Sequence, residues 1–398
     1  MRLKFAKAVA RVAAAGAVVA AAGLGSAQAA LATPAPEVMN VPCSAAALAS
    51  DISGNSGGET LSLAKFCVYK LTAALPDITE DLTIDGNQGT IERSYAQGTP
   101  DFSILSVTED VDLVLNHVNF RNGSATETGS SEGGAIDNTD GVVTVNGGTF
   151  TGNAATYEGG AIYNDSDLTV NGATFTGNSS GEWAGAIANE GVATVAGSAF
   201  SGNNAEYGGA IYLEGDMTVA NCDFAKNNAD DGGGIYVYDD DESLRVTGSG
   251  FSRNTASSEG GGIYNETDDM TLSGGAFTGN TAEYGGGIYN DYDLTVNGAA
   301  FGQNTASSDG GGIYNAYSAT VNGGAFRQNR AEFGGGIYND DDDQALTITD
   351  SQIVANTATS GGGGIYNDDG TVTLTSTPVV NNRPDNCEPL NTIAGCAN

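Results

Sequence analysis

The chain has 398 residues, of which 59 are glycine, 49 are Asp or Glu and only 14 are Lys or Arg, giving a net charge of −35. This balance excludes nucleic acid as a partner, because phosphate recognition needs basic side chains to displace counterions. It also disfavours polyanionic polysaccharides unless a divalent cation bridges them, and it suits a soluble, monomeric exported protein.

In chain order, Arg2, Lys4, Lys7 and Arg11 form a basic head, an Ala/Val/Gly stretch follows, and Ala27-Gln28-Ala29 closes it in small residues. That is the pattern of a secretory signal over residues 1–29. Without it the chain keeps 10 basic against 49 acidic residues. The apolar run is short and leads into Thr33-Pro34-Ala35-Pro36, and no later segment has 18 consecutive apolar residues, so no membrane span is expected. The expected location is extracellular, free or at the cell surface. Residues 30–59 read as an N-terminal segment and cap, with the Ala-rich stretch Ser44 to Ile52 predicted as a short helix over the first rung.

Residues 60–385 are built on a repeat. The phrase (Gly/Ala)-Gly-(Ala/Gly)-Ile ends at Ile136, Ile162, Ile187, Ile211, Ile235, Ile263, Ile288, Ile313, Ile337 and Ile365, at steps of 24 to 28 residues. A fixed period of this length marks a stack of one small unit on itself. Within the unit from Gly159 to Asn178, Ile162, Leu168, Val170 and Phe175 take inward positions, and Tyr163 and Thr169 take outward ones. The Gly, Thr and Asn content excludes helix. About 25 residues at 3.3 Å each make a circuit of roughly 80 Å, one turn of a parallel β-helix. The expected fold is all-β: a single-domain right-handed parallel β-helix of about 12–13 coils, capped at both ends.

Several columns run along the predicted rod. A Phe column begins at Phe120 and Phe150 and ends at Phe326, Ile353 and Val379 continue it, and from Phe150 onward an Asn stands three residues after each member, from Asn153 to Asn382. Asn at matched turns is expected to hydrogen-bond from rung to rung. Two outward columns are Thr (Thr144, Thr169, Thr194 and onward to Thr373) and Tyr: Tyr163, Tyr212, Tyr236, Tyr264, Tyr289, Tyr314, Tyr338 and Tyr366. The tyrosines have two readings, stacking on each other along the rod or stacking on sugar rings as a glycan surface. Cys43 and Cys67 precede the repeats and Cys387 and Cys396 follow them, so Cys43–Cys67 and Cys387–Cys396 are candidate end staples. Cys222 is left over as a small buried filler. Residues 386–398 are taken as the C-terminal cap. The acidic runs Asp239-Asp240-Asp241-Glu242 and Asp340-Asp341-Asp342-Asp343 read as solvated bulges. The second is the better candidate for weak calcium binding, since Ca²⁺ takes about six to eight oxygens. No other cofactor is called for.

Gly159-Gly160-Ala161-Ile162 and Phe175-Thr176-Gly177-Asn178 resemble the repeats of polymorphic outer-membrane proteins and of bacterial right-handed β-helix proteins with the pectin-lyase-like fold. The stretch from Leu75 to Arg93 is similar to the opening coils of many such exported proteins. The outer-membrane group carries a C-terminal translocating barrel, whereas this sequence closes with the repeats, so simple export is expected over autotransport. The pectin-lyase-like group includes many pectin enzymes, but a fold does not confer an activity. The polygalacturonase pattern is met only at Asn138-Thr139-Asp140. The single histidine, His117, lies upstream of it with no Gly-His-Gly, and Arg245 beside the first acidic run reads as a local charge partner. No catalytic residue is assigned. The expected role is a non-catalytic rod for adhesion or carbohydrate binding, its partner a polysaccharide or cell-surface ligand. The alternative is a polysaccharide-active lyase or hydrolase. The regular Thr column adds ice binding as a minor alternative.

Overall fold

The computed structural model describes residues 38–126, 131–238, 242–340, 345–390 and 392–397. The expected signal, residues 1–29, and the acidic residues Asp239–Asp241 and Asp341–Asp343 lie outside the described residues.

Short strands separated by sharp corners recur at the period of the sequence, and the strands of successive coils pair in parallel, as in Ile136↔Ile162, Val143↔Leu168 and Phe150↔Phe175, with one register shift between Ala331 and Phe333 and one antiparallel bridge, Phe102↔Ser124. Three long sheets result. One, here the Thr sheet, has 14 strands from Val38–Val41 to Thr371–Thr375. The Phe sheet has 13, from Val68–Leu71 to Val379–Val380, and the Tyr sheet 12, from Leu105–Val107 to Cys387–Glu388. Two shorter sheets, of three and six strands, close the circuit between the Phe and Tyr sheets. The Thr sheet has more rungs than the 12–13 coils expected because Val38–Val41 pairs with Thr60–Leu63 without carrying the Gly-Gly-Ile phrase.

The core is a set of columns. Nine phenylalanines from Phe120 to Phe326 are fully buried, and their rings stack at 4.6–5.1 Å. Each is worth about 2–3 kcal/mol as apolar surface removed from water. Beside them the Asn153–Asn382 ladder is fully formed. Each amide nitrogen donates to the next Asn oxygen at 2.9–3.1 Å. The side chains thereby pay the hydrogen-bonding debt of polar groups taken out of water. At the corner before each Ile the backbone is left-handed. A Cβ at Gly159 would lie 2.1 Å from the Ile162 carbonyl oxygen, so this corner demands glycine.

A single helix among the described residues, Ala45–Gly54, lies at the N-terminal end, with Ser44 accepting from the Ala47 N–H and with Leu48 and Ile52 buried. Cys43 is bonded to Cys67 and Cys387 to Cys396. The strand Cys387–Glu388 pairs with Ile365–Tyr366, and Ile393 is buried on the hydrophobic core.

Candidate functional site

The Tyr sheet is three residues wide in each coil. In Ile162-Tyr163-Asn164 the Ile joins the core and the Tyr points the other way. The Asn turns back into the coil and builds a second ladder, beside the one expected from Asn153 to Asn382. Amide nitrogens donate to the next oxygen at 2.6–2.8 Å through Asn138, Asn164 and Asn189, and again from Asn265 to Asn367. Leu213 and Val237 stand in register between these two stretches, and the Asn265 side-chain oxygen is buried without a partner.

The expectation of an exposed tyrosine surface is corrected here. Tyr163, Tyr212, Tyr236, Tyr264, Tyr314 and Tyr338 are only 5–9% exposed, and Tyr289 and Tyr366 are half-buried. Rings from Tyr212 to Tyr366 stack face to face at 4.5–5.7 Å, within 12° of parallel. Their faces are therefore occupied by one another. Two flanking columns cover much of the rest.

One flank is the residue before the left-handed corner: Glu132, Glu158, Trp183, Tyr207 and Asp231 are joined by parallel bridges, as are Glu259 with Tyr284 and Asp309 with Phe333. The other is the residue after the inward Asn position, including Asp165, Glu190, Glu214, Tyr238, Asp291, Asp340 and Asp368, each tied to the coil before it by its backbone N–H. The result is a trough floored with tyrosine and walled with carboxylates and aromatic rings. Both flanks have a sequence signal, since an acid or aromatic precedes each corner from Gly133 to Gly334, the last corner at Gly362 following Gly361, and an acid usually follows the Tyr-Asn pair.

The walls meet the floor through hydrogen bonds. The hydroxyls of Tyr163, Tyr236 and Tyr314 donate to Glu190, Glu266 and Asp340 at 3.1, 3.1 and 2.7 Å. Carboxyls crowded in this setting are held above their ordinary range. Burial, with Glu132 and Asp77 nearby, lifts Asp137 to about 6. Burial, with Asp231, Asp291, Glu266 and Glu283 around it, lifts Glu259 to about 7. Glu158 is raised by burial and by Glu190, with which it shares a hydrogen bond. Asp231, Asp291 and Asp309 are raised by burial first. The tyrosine hydroxyls are pushed upward by burial and by the same carboxylates.

Other sequence candidates fall elsewhere. Asn138 is fully buried, its amide spent on Asn164 and the Gly141 carbonyl, while Asp140 is exposed, so the three-residue polygalacturonase match does not converge on one surface. Arg245 lies on the outer face of the Thr sheet and pairs with Asp269 at 3.4 Å. His117 is exposed at a left-handed corner beside a polar concavity of about 550 Å³ lined by Lys65, Asp85 and neighbouring amides. Cys222 is buried; its sulfur accepts the Ser198 N–H at 3.4 Å. Among the described residues no group of three or more His, Cys, Asp or Glu is placed to hold a metal ion. Of the calcium candidates only Asp340 is described, and it is engaged by Tyr314. No helix among the described residues is long and apolar enough to cross a membrane.

Residues 147–165 and 251–266 match the family model of the Chlamydia polymorphic membrane protein repeat. Each match runs from the Phe sheet through the left-handed corner to the Tyr sheet, so it includes one floor tyrosine and its flanking carboxylates. With the parallel solenoid, these matches make the chain a β-helix repeat protein. A comparison with curated proteins gives no match.

Proposed function

We propose that the chain is a non-catalytic rod presented outside the cell, and that the tyrosine-floored trough is its adhesive or carbohydrate-binding face. The observation that supports this most is the set of Tyr hydroxyls paired with carboxylates, Tyr163–Glu190, Tyr236–Glu266 and Tyr314–Asp340, placed three coils apart along the trough. A linear polymer laid along the rod would meet the same hydrogen-bonding edge again and again, so weak contacts add along its length. Because the ring faces are already stacked, a sugar chain is met by hydroxyls and carboxylates. The polymorphic-membrane-protein repeat fits display at a cell surface.

The test is retention of the purified protein on a panel of neutral and acidic polysaccharides, with and without calcium, together with an assay for new reducing ends. Retention on one polymer without new ends supports the rod, and combining Tyr236→Phe, Tyr289→Phe and Tyr314→Phe should weaken it stepwise. Turnover on any polymer would replace this reading with a polysaccharide-active enzyme. No retention on any polymer would remove carbohydrate as the ligand.

A further inference from the structure

The tyrosine column is interrupted once. Ala188 stands in register between Tyr163 and Tyr212, and Ala184 of the same coil occupies the left-handed corner that other coils give to glycine. Beside this break the walls turn aromatic. Trp183, Tyr207, Tyr212, Tyr236 and Tyr238, with the carboxylate of Glu214, line a cleft of about 390 Å³.

Tyr212 and Tyr236 belong to the parallel stack, but the rings beside them leave it. Trp183 is inclined 47° to Tyr212 at 6.0 Å, and Tyr207 stands at 68° to Tyr236 at 5.3 Å. Tyr238, 46% exposed, flanks Tyr212 at 6.4 Å. Ring faces therefore border an open space. No Lys or Arg lines it, and Asp239 to Asp241 follow Tyr238 in a chain of net charge −35.

Such a lining selects for one chemistry. An anionic ligand is repelled by the surrounding field. A metal ion or bare ammonium would have to shed tightly held water against rings that replace little of it. A neutral sugar brings no charge for the ring faces and the Glu214 carboxylate to attract. An alkylated ammonium carries its charge on apolar methyl groups, needs no hydrogen-bond partner, and is attracted by the negative faces of the rings and by a nearby carboxylate. We propose that this cleft binds a quaternary ammonium group of the trimethylammonium type, independently of any polysaccharide held along the trough.

Trp183 is the single tryptophan of the chain, so its emission reports on this cleft alone. The full-length secreted protein would be titrated with tetramethylammonium chloride against sodium chloride at matched ionic strength. The expected result is a saturable change in emission with the first salt and none with the second. Glu214→Gln and Tyr238→Leu should each weaken the half-saturation roughly tenfold, and Tyr238→Phe, which keeps the ring, should stay within about twofold. Tyr238 lies just past the strand Ile235–Val237 and is exposed, so circular dichroism should not change in its variants. Parallel titrations with phosphorylcholine and with phosphatidylcholine vesicles separate a free small molecule from a lipid headgroup as the source; saturation with either supports the site. A response that sodium chloride reproduces, one that neither Glu214→Gln nor Tyr238→Leu alters, or saturation by a neutral oligosaccharide with none by tetramethylammonium would overturn it. Loss of polysaccharide retention with this titration intact would touch only the function proposed above.

Discussion

Asn304 accepts from both the backbone and the side-chain amide of Asn280, and donates its own to Asn329 and to the Phe277 carbonyl. Its side chain is fully buried, so no water replaces what it provides. Asn304→Ala leaves the backbone N–H of Asn280 without its acceptor, while the Asn280 amide keeps the Phe251 carbonyl and Asn329 keeps the backbone N–H of residue 304, and it should destabilise the rod by about 1–3 kcal/mol. Thr295→Ala, on the half-exposed outer face one strand away, should stay within about 0.5 kcal/mol. Urea unfolding of the two variants makes the comparison, and equal midpoints would mean that the ladder contributes nothing beyond packing. The first Asn column was legible because from Phe150 onward it keeps a spacing of three residues from the inward Phe, Ile or Val. The second column was not, although period-2 alternation from Ile162 places Asn164 on the same inward side. An Asn at a strand end is as good a turn residue as a core residue, and only the register of neighbouring coils decides between them.

At the scale of the element, the Tyr sheet shows what alternation does and does not encode. It correctly sends Tyr163 away from the core. It says nothing of the segments before and after the strand, whose paths raise two walls beside the ring and cover it. Those walls concentrate carboxyls whose folded-state affinity for protons exceeds that of the unfolded chain, with Asp137 near 6 and Glu259 near 7 against ordinary values of 3.8 and 4.5. In that window the folded state binds more protons than the unfolded state, so stability falls as pH rises from about 4.5 through about 7. Melting temperature should therefore be several degrees lower at pH 8 than at pH 5. Glu259→Gln should flatten the slope, whereas Asp350→Asn, at an exposed corner between the Thr and Phe sheets, should leave it as it was while removing the same unit of charge. Identical slopes in the two variants would assign the effect to net charge alone.

At the scale of the whole molecule, the fold was the most legible feature, because each coil repeats the same inward residues and each contact is with a neighbour in the stack. The binding face was less so: the aromatic cleft exists only where one coil departs from the repeat, at Trp183, Ala184 and Ala188, and a consensus hides such a departure. The stacking also makes a prediction. In a solenoid each unit is stabilised by itself and by its two neighbours, so a whole period can be removed without loss of the rest. Deleting residues 288–312 joins Gly287 to Ile313 and restores the phrase Gly-Gly-Gly-Ile-Tyr-Asn. Phe277 would then face Phe326, Asn280 would face Asn329, and Tyr264 would face Tyr314, so every column stays continuous. The shortened chain should keep the β-sheet dichroism of the parent and lose ~4.8 Å in maximum dimension by small-angle scattering. Deleting residues 288–299 instead removes about half a circuit, sets Ala300 where an inward Ile belongs and Phe301 in the outward place of Tyr289, and breaks both Asn columns. That variant should unravel from the cut. If both deletions fold equally well, the columns do not set the register; if both collapse, the rod is a single cooperative body and its coils are not the units of its stability.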